Sequence, residues 1–290
     1  MVYSYLFPNS VSECLEMLSA YEGARVIAGG TDLMIDIKKK RLRPRVLVDV
    51  TRIPELNLIQ EEEDTISIGA GVTHTQAATS PLIRRKLPAL AQAASSVGSP
   101  QIRNVGTLAG NVVNAQPAAD TAVALVALGA EAEIWGPQGK SRVAVEDLYE
   151  GVGRSKVDST RELLKRFLVP RWGEGEASAF VRLSPRRALS LPILNVAVRV
   201  QIKDGRWEKA RICVAPVAPK PFLCREAGEA LIGAKVSQEK IEEAAKIAAE
   251  LAQPRDSLLR GSREYRKEMV RVLVRRALEA ATQALYSLFN

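Results

Sequence analysis

Short apolar blocks separated by polar residues predict alternating strands and helices in the first half of the chain. The β-branched stretches RVI (25–27) and RVLVDV (45–50) are typical of buried strands, and TISIGAGV (65–72) alternates as a half-buried strand does. The small apolar residues of 118–130 predict a buried helix that ends at Gly129. This half of the chain therefore mixes strands and helices.

The pattern changes at 170–180, where glycine, glutamate and small residues accumulate, and a domain boundary is expected there. Every second residue from Val196 to Ile202 is apolar, which predicts a strand with one buried face that ends in an Asp204-Gly205 hairpin turn. Residues 237–252 and roughly 263–288 have the periodicity of amphipathic helices. The second half is therefore also of the α+β class.

Composition and charge bear on domain number and on whether the chain binds nucleic acid. The chain has 290 residues, enough for two domains, and its formal net charge is +8. The basic residues are dispersed and no aromatic residues are interleaved with them, which argues against nucleic acid as a partner. We interpret most of the basic clusters as solvated faces.

Targeting and metal-binding signals are missing from the sequence. No apolar run approaches the ~20 residues of a transmembrane helix, and the first ten residues lack the features of a secretory signal. We therefore expect a cytoplasmic protein with no membrane span. Cys14, Cys213 and Cys224 lie far apart and none belongs to a C-x-x-C pair, so we expect no metal site in this chain.

Few side chains could carry catalysis. His74 is the only histidine, and the motifs of P-loop NTPases, serine hydrolases and zinc proteases are absent. A surface or helix-capping position is one interpretation of His74, and a lone base is the other. A chain with so few nucleophiles and bases either takes its chemistry from a cofactor or only binds other molecules. We accordingly expect no catalytic residue.

Two glycines follow the first apolar strand. Gly29 and Gly30 have no Cβ, so they either form a tight turn or let peptide N–H groups approach a pyrophosphate closely. Thr31 can donate a hydroxyl hydrogen bond, whereas a carboxylate at Asp32 would repel a pyrophosphate. We therefore expect Asp32 to cap the helix that begins at Leu33. The spacing is not G-x-G-x-x-G, which disfavours a Rossmann site.

A second segment, residues 96–120, combines glycines with short polar side chains. Thr107, Gly110, Asn111 and Asn114 fall within it, and few large side chains interrupt them. Such a segment can wrap a flat, phosphorylated ligand and bind it from the main chain, and a purely structural loop is the alternative. Two segments of this kind in one domain favour a phosphorylated cofactor.

Three stretches of the chain form a recognisable combination: AGGTDL (28–33), GSPQIRNVGTLAGNVVNAQPAAD (98–120) and GSREYRKEMVRVLVRRAL (261–278). Together they resemble the FAD-binding medium subunit of molybdenum hydroxylases, the family of the carbon monoxide dehydrogenase and xanthine dehydrogenase flavoprotein subunits. The similarity runs essentially from end to end.

The resemblance implies an α+β fold in two domains. Residues 1–175 would form a PCMH-type FAD-binding domain whose two subdomains are roughly 1–55 and 56–175. Residues 176–290 would form a smaller C-terminal α+β domain with a three-stranded sheet and helices.

The resemblance also implies an oxidoreductase subunit in a complex. A small subunit would carry two [2Fe–2S] clusters, a large subunit would carry the molybdopterin cofactor, and the whole would be a dimer of heterotrimers. This chain would pass electrons from the clusters through FAD to an external acceptor. Two alternatives stay open: a stand-alone FAD-dependent oxidoreductase of the same superfamily, and a basic nucleic-acid-binding scaffold whose glycine loops are structural.

The cofactor-binding residues are carried over from the family by matching position. Asp120 is expected to accept hydrogen bonds from ribityl or adenosine hydroxyls, and Leu191 to cover the isoalloxazine ring. Arg182 stands where many relatives have a lysine near the flavin, and Ala109 replaces a glycine of the second motif. The full set is Val26, Ile27, Ala28, Gly29, Gly30, Thr31, Asp32, Leu33, Val97, Gly98, Thr107, Leu108, Ala109, Gly110, Asn111, Asp120, Arg182 and Leu191.

Overall fold

The N-terminal part of the chain forms a three-stranded parallel sheet with two helices. The computed structural model describes residues 2, 4–186 and 189–286. Its first elements are β1 (Ser4–Leu6), α1 (Val11–Ala20), β2 (Ala24–Ile27), α2 (Leu33–Lys38) and β3 (Val46–Asp49). The order is β1–β3–β2 and both pairings are parallel. The two glycines after β2 therefore lie at the carboxyl edge of this sheet, where parallel sheets commonly bind ligands.

The next part is an antiparallel sheet packed against helices. The strand order is β4–β5–β10–β6–β7, and β8 and β9 form a separate hairpin. The elements are β4 (Ile59–Glu61), β5 (Thr65–Gly69), α3 (His74–Thr79), α4 (Pro81–Lys86), α5 (Pro88–Ser96), α6 (Pro100–Val105), α7 (Leu108–Val113), α8 (Asp120–Leu128), β6 (Glu131–Gly136), β7 (Gly139–Ala144), β8 (Tyr149–Gly151), β9 (Arg154–Ser155) and β10 (Leu163–Pro170).

Helix α8 confirms the buried helix expected over 118–130. All of its residues are buried, and it ends at Gly129, which adopts a φ of 72° in the left-handed region that glycine tolerates. A helix that is apolar on every side must be enclosed by other elements. It packs against β12 and β13 of the C-terminal part on one side and against α5 on another.

The C-terminal part is an antiparallel sheet covered by helices. Its order is β11–β12–β13–β14, so the sheet has four strands rather than the expected three; β14 is only two residues long. The long last helix ends at Tyr286 among the described residues, and the rest of the segment expected up to 288 lies outside them. The elements are β11 (Glu176–Leu183), β12 (Leu194–Lys203), β13 (Arg206–Ala215), β14 (Phe222–Leu223), α9 (Arg225–Glu229), α10 (Gln238–Leu251) and α11 (Arg263–Tyr286).

Two arginines of the C-terminal sheet bind the end of α8. The side chain of Arg199 is fully buried, pairs with Glu176 at 2.6 Å and donates to the carbonyl of Leu128. Arg211 donates to the carbonyls of Val126 and Ala127 at 3.0 and 3.1 Å. The N–H of Gly129 already donates to the Val126 carbonyl, whereas those of Ala127 and Leu128 lie at the end of the helix and accept from the arginines. The two guanidinium groups also place positive charge at the negative end of the helix dipole.

Within residues 2, 4–186 and 189–286, no helix combines the length and the apolar character that a membrane span requires.

Candidate cofactor site

A cavity of about 650 Å³ lies where the carboxyl edge of the parallel sheet meets the α6–α7 region. Its volume is within the usual range of small-molecule and cofactor sites, about 300–1,000 Å³. It brings together the two glycine-containing segments, which are about eighty residues apart in the sequence. The expected residues on its wall are Val26, Ile27, Ala28, Gly29, Gly30, Thr31, Asp32, Leu33, Val97, Thr107, Ala109, Gly110 and Asn111.

Gly29 and Gly30 are required for different structural reasons. A Cβ on Gly29 would lie 1.9 Å from the carbonyl oxygen of Val105, so this glycine lets the two segments pack backbone to backbone. Gly30 adopts a φ of 66°, a left-handed conformation that reverses the chain between β2 and α2. The structure therefore requires the first glycine for close approach and the second for the turn.

The turn between β2 and α2 leaves main-chain donors unused. The peptide N–H groups of Gly29, Gly30, Thr31, Asp32 and Leu33 donate to no acceptor among the described residues. They form a continuous run on the cavity wall and include the start of α2, where the helix dipole is positive. Successive free N–H groups at such a position form an anion-binding concavity that suits phosphate oxygens.

The second segment, residues 96–120, contains the N-cap of α7. Thr107 Oγ1 accepts a hydrogen bond from the N–H of Gly110 at 3.0 Å. A Cβ added to Gly110 would lie 3.1 Å from Thr107 Oγ1 and, outside its own helix, within 4 Å of no other atom of the residues that the structure describes. Thr121 Oγ1 donates to Asn111 Oδ1 at 2.7 Å, which fixes the amide of Asn111 on the wall.

Asp32 stands at the N-cap position of α2 but does not cap it. Its backbone is in the right-handed helical region and its side chain makes no capping hydrogen bond, so the expected capping contact is wrong. An N-cap carboxylate normally needs an extended backbone to reach the N–H groups of the first turn. Burial, and then the neighbouring carboxylate of Asp36, raise the pKa of Asp32.

His74 is the residue of this cavity that sequence reasoning missed. Its side chain is only 3% exposed and lines the cavity, and Thr73 rather than His74 caps α3, so both the surface and the capping interpretations are wrong. The His74 N–H donates to the carbonyl of Gly106 at 3.0 Å, which holds the residue behind the second segment. The only signal in the sequence was its place directly after an apolar strand.

The protonation of His74 follows from its surroundings. Burial, and then the charge of Arg103, lower the pKa of His74 to about 4, so the ring is neutral near pH 7. Nδ1 is fully enclosed and has no partner among the described residues. We assign the hydrogen to Nε2, because an enclosed N–H without an acceptor is the costlier arrangement. Nε2 is then a neutral donor beside Gly106 on the cavity wall.

Three expected residues are not on the cavity wall. The side chain of Leu108 is fully buried in the core. Gly98 forms the left-handed turn between α5 and α6, with a φ of 50°, next to Val97 on the wall. Leu191 is 70% exposed, in the loop between β11 and β12, and covers none of the cavity.

Asp120 and Arg182 are brought together with each other rather than with the cavity. Arg182 Nε and the side-chain amide of Asn195 both donate to Asp120 Oδ1, at 3.1 and 2.8 Å. Burial raises the pKa of Asp120, and the charge of Arg182 and the Asn195 amide oppose that effect. The guanidinium of Arg182 also donates to the carbonyl of Ser190. This network joins α8 to the C-terminal sheet.

Further residues of the wall come from a segment that carried no motif. The N–H of Val26 donates to the carbonyl of Ser159 at 2.9 Å, which brings the chain before β10 against β2. Arg25 and Arg41 add positive charge to the wall. Arg41 belongs to the basic run after α2; its side chain is 66% exposed and its guanidinium pairs with Asp36 at 3.3 Å.

The cavity fits FAD on its own features: a run of unused N–H donors, a neutral imidazole donor and a glycine with open space beside its Cα. Comparison with known proteins decides the family. The model of the FAD binding domain in molybdopterin dehydrogenase matches residues 1–172. The chain belongs to this family. Residues 179–281 match the CO dehydrogenase flavoprotein C-terminal domain.

Individual relatives agree over nearly the whole length. The chain is 32% identical to the nicotinate dehydrogenase FAD-subunit of Eubacterium barkeri, with 92% of each chain covered. It is 31% identical to the carbon monoxide dehydrogenase medium chain of Hydrogenophaga pseudoflava, with 96% of each covered. The structure of reconstituted CO dehydrogenase from Oligotropha carboxidovorans superposes with a TM-score of 0.90 at 31% identity, covering 98% of both chains. This protein is thus an FAD-binding oxidoreductase subunit of the molybdenum hydroxylase family.

Proposed function

We propose that FAD bound in this cavity takes electrons from [2Fe–2S] clusters of a small partner subunit and passes them to an external acceptor. The clusters would be reduced in turn by the molybdopterin cofactor of a large partner subunit, in a cytoplasmic complex that is a dimer of heterotrimers. Support comes from relatives that are named as medium chains, which indicates assembly with other chains.

The observation that carries the proposal is the run of unused N–H groups from Gly29 to Leu33. Backbone donors near a binding site are normally satisfied, because an unpaired buried N–H costs ~1–3 kcal/mol. Residues 29–33 are half-buried or exposed, and five N–H donors in succession on a cavity wall at the start of a helix suit an anionic ligand. The pyrophosphate of FAD has the required charge and number of oxygens.

The chain's own residues bind and orient the cofactor. Gly30, Thr31 and Asp32 would hold phosphate oxygens through their main chain, and the region beside Gly110 would admit a group that a side chain there would exclude. His74 Nε2 would donate to a phosphate or ribityl oxygen. Bound FAD supplies the redox chemistry, which no amino-acid side chain in the cavity supplies.

The division into domains is part of the proposal. We assign residues 1–175 to FAD binding, as subdomains of roughly 1–55 and 56–175, and residues 176–290 to a C-terminal domain. The sheets support this division. Along the sequence, β3 is the last strand of the parallel sheet and β10 is the last strand of the five-stranded sheet, and β11, the first strand of the C-terminal sheet, begins at Glu176.

The test is to mix the FAD-loaded chain with the small iron–sulfur subunit of its own complex, reduced beforehand with dithionite and freed of excess reductant. We expect the visible flavin absorbance to bleach and to return when an electron acceptor is added. The same chain stripped of FAD is the control, and it should show no flavin signal.

Two results would contradict the proposal. FAD could bind tightly and yet stay oxidised in the presence of the reduced partner, which would make the chain a flavin carrier without this relay. A small organic substrate could instead reduce the flavin with no partner present. That result would support the stand-alone oxidoreductase.

A further inference from the structure

The connection between α10 and α11 presents two leucines to solvent. Leu258 is fully exposed and Leu259 is 86% exposed, and they are adjacent at the apex of a turn. Single exposed leucines are ordinary on protein surfaces. Two neighbouring side chains that bury almost nothing against their own chain are a stronger sign of a surface covered by something else. We call residues 255–263 the arginine–leucine turn.

The arginine–leucine turn is held in one shape. The N–H of Ser257 donates to the carbonyl of Gly261 at 3.1 Å, and the N–H of Leu259 donates to Ser257 Oγ at 3.3 Å. Asp256 Oδ1 accepts from the N–H of Arg263 at 2.7 Å, which ties the turn to the start of α11. A surface that is already ordered loses little conformational entropy on binding. The arginine–leucine turn is therefore preorganised for binding.

A buried arginine supports the turn from below. Arg266 is 3% exposed and donates to the carbonyl of Arg255 at 2.8 Å and to the carbonyl of Pro216. Pro216 directly follows β13, so the turn is attached to the end of that strand of the C-terminal sheet. The ring of Tyr265 packs against Gly261, where a Cβ would lie 2.8 Å from Cδ1, and the tyrosine is 45% exposed.

The charges of the arginine–leucine turn lack partners. Within residues 2, 4–186 and 189–286, no carboxylate forms an ion pair with Arg255, Arg260 or Arg263. Burial, and then Arg260 and Arg255, lower the pKa of Arg266, which shows that the positive charges act on one another. The region therefore has unbalanced positive charge around an apolar apex.

We propose that the arginine–leucine turn docks into an acidic, apolar-floored recess on a sister subunit of the same complex. Leucines 258 and 259 would enter the recess, while carboxylates on its rim would pair with Arg255, Arg260 and Arg263. Arginine and tyrosine are typical of the residues that dominate binding energy at interfaces. The inference rests on the proposed function, because it requires that the chain assemble with sister subunits.

Charge favours a sister subunit over a second copy of this chain. The chain carries a formal net charge of +8, so two copies that meet at this turn would oppose like charges. An acidic sister surface instead attracts the turn over a distance and pairs its arginines at contact. Assembly through it should accordingly weaken as the salt concentration rises.

The test uses the full chain co-expressed with the small iron–sulfur subunit and the large molybdenum-carrying subunit of its own complex. The variant Leu258→Asp/Leu259→Asp places two negative charges where the acidic recess would be. We expect its dissociation constant for the sister subunits to rise at least ~30-fold, because apolar anchors at an interface centre contribute ~2 kcal/mol or more. FAD affinity of the variant should stay within about twofold of wild type, since the turn does not line the cavity.

Matched controls separate docking from general surface effects. Ile232→Asp changes another exposed apolar residue of the C-terminal part, and Lys235→Glu reverses an exposed charge there. Both should assemble as wild type does. Arg255→Glu should weaken assembly, and most strongly at low salt. If the double aspartate variant does not fold, the milder variant Leu258→Ser/Leu259→Ser takes its place, and it should also weaken assembly.

A photo-reactive amino acid at position 258 identifies the occupant. We expect a cross-link to an acidic segment of one sister subunit. Wild-type assembly of the folded leucine variants would overturn the proposal and leave the proposed function intact. A cross-link to a second copy of this chain would also overturn the proposal. Binding of the wild-type chain, but not of the leucine variants, to anionic phospholipid vesicles would overturn it as well. Failure of the wild-type chain to assemble with either subunit would overturn both proposals.

Discussion

Two helix ends in this molecule, the C-terminal end of α8 and the start of α2, differ in whether their backbone polar groups have partners within the protein. At the C-terminal end of α8, the last two carbonyls, of Ala127 and Leu128, accept hydrogen bonds from Arg211 and Arg199 of the neighbouring sheet. At the turn between β2 and α2, N–H groups without helical acceptors meet no acceptor among the described residues. The carbonyls at the end of α8 therefore have partners within the protein, whereas the N–H groups of the β2–α2 turn face a cavity.

The difference separates a structural junction from a binding site. A helix end whose partners come from another part of the chain stabilises the contact between the two parts. A helix start whose donors stay unused is left for a ligand, and here it lies opposite a neutral histidine and a glycine with open space beside it. Substitutions in the first place should change stability, and substitutions in the second should change FAD affinity.

The largest effect is expected from Arg199→Met. This change removes a buried guanidinium and leaves the Glu176 carboxylate and the carbonyls of Leu128 and Pro170 without their donor. Breaking a buried ion pair on one side costs ~3–5 kcal/mol. Urea denaturation should show a loss of that size in the free energy of unfolding.

The matched control for that experiment is Arg211→Met. Arg211 is half-buried and caps the same helix through two carbonyls without a direct ion pair, so its loss should cost only ~1–2 kcal/mol. An equal loss in both variants would show that the carbonyl contacts, and not the buried charge pair, stabilise the junction. FAD affinity of the folded Arg199→Met protein should be that of wild type.

An effect of similar size is expected from acid acting on His74. The pKa of His74 is lowered from 6.5 to about 4 in the folded chain, so the unfolded chain binds a proton first as the pH falls. The stability from the neutral ring is complete above pH 6.5 and is lost as the pH falls through 4, a change of about 3 kcal/mol. Unfolding free energies at pH 7 and pH 4 measure it.

His74→Gln removes this titration and keeps a neutral polar side chain. The variant should lose about 3 kcal/mol less stability than wild type between pH 7 and pH 4. Other groups titrate equally in both proteins, so the difference isolates His74. Parallel losses in the two proteins would mean that folding does not lower the pKa of His74, which would contradict the enclosed, neutral ring.

The smallest energy change, and the sharpest contrast between the two places, is expected from Gly110→Ala. The new methyl group would meet only Thr107 Oγ1, at 3.1 Å, and alanine favours a helix, so the unfolding free energy should stay within ~1 kcal/mol of wild type. The same methyl group would occupy the cavity wall. We expect the FAD dissociation constant, measured by calorimetry, to rise at least tenfold, or ~1.4 kcal/mol.

Ala109→Gly is the opposite change at the adjacent position of the same motif. It removes a methyl group from the wall, so FAD should bind as tightly as to wild type or more tightly. An affinity unaffected by either substitution would mean that the second segment does not contact the cofactor.

The sequence was most informative where the pattern is regular. The buried helix α8 and the Asp204-Gly205 hairpin turn were both expected, because an unbroken apolar run and an Asp-Gly pair each leave a local signal. Strand β14 was missed, since two residues carry no periodicity. The FAD motifs identified the family, but not what each residue does in it.

The arrangement of the site depended on contacts that no local pattern contains. Gly29 is needed because it touches the backbone of Val105, far along the chain. His74 is neutral because of burial and Arg103, which also come from tertiary packing. Asp120 pairs with Arg182 through the junction between α8 and the C-terminal sheet. Each of these facts requires the fold before it can be stated.

Hydrogen exchange of the peptide N–H groups from Gly29 to Leu33, with and without FAD, tests the central claim most directly. These amides have no acceptor among the described residues, so without FAD they should exchange quickly. Saturating FAD should protect them by at least ~100-fold, while the amides of α8 should change little. Tight FAD binding that leaves residues 29–33 exchanging as before would contradict the account, because the cofactor would then be held elsewhere.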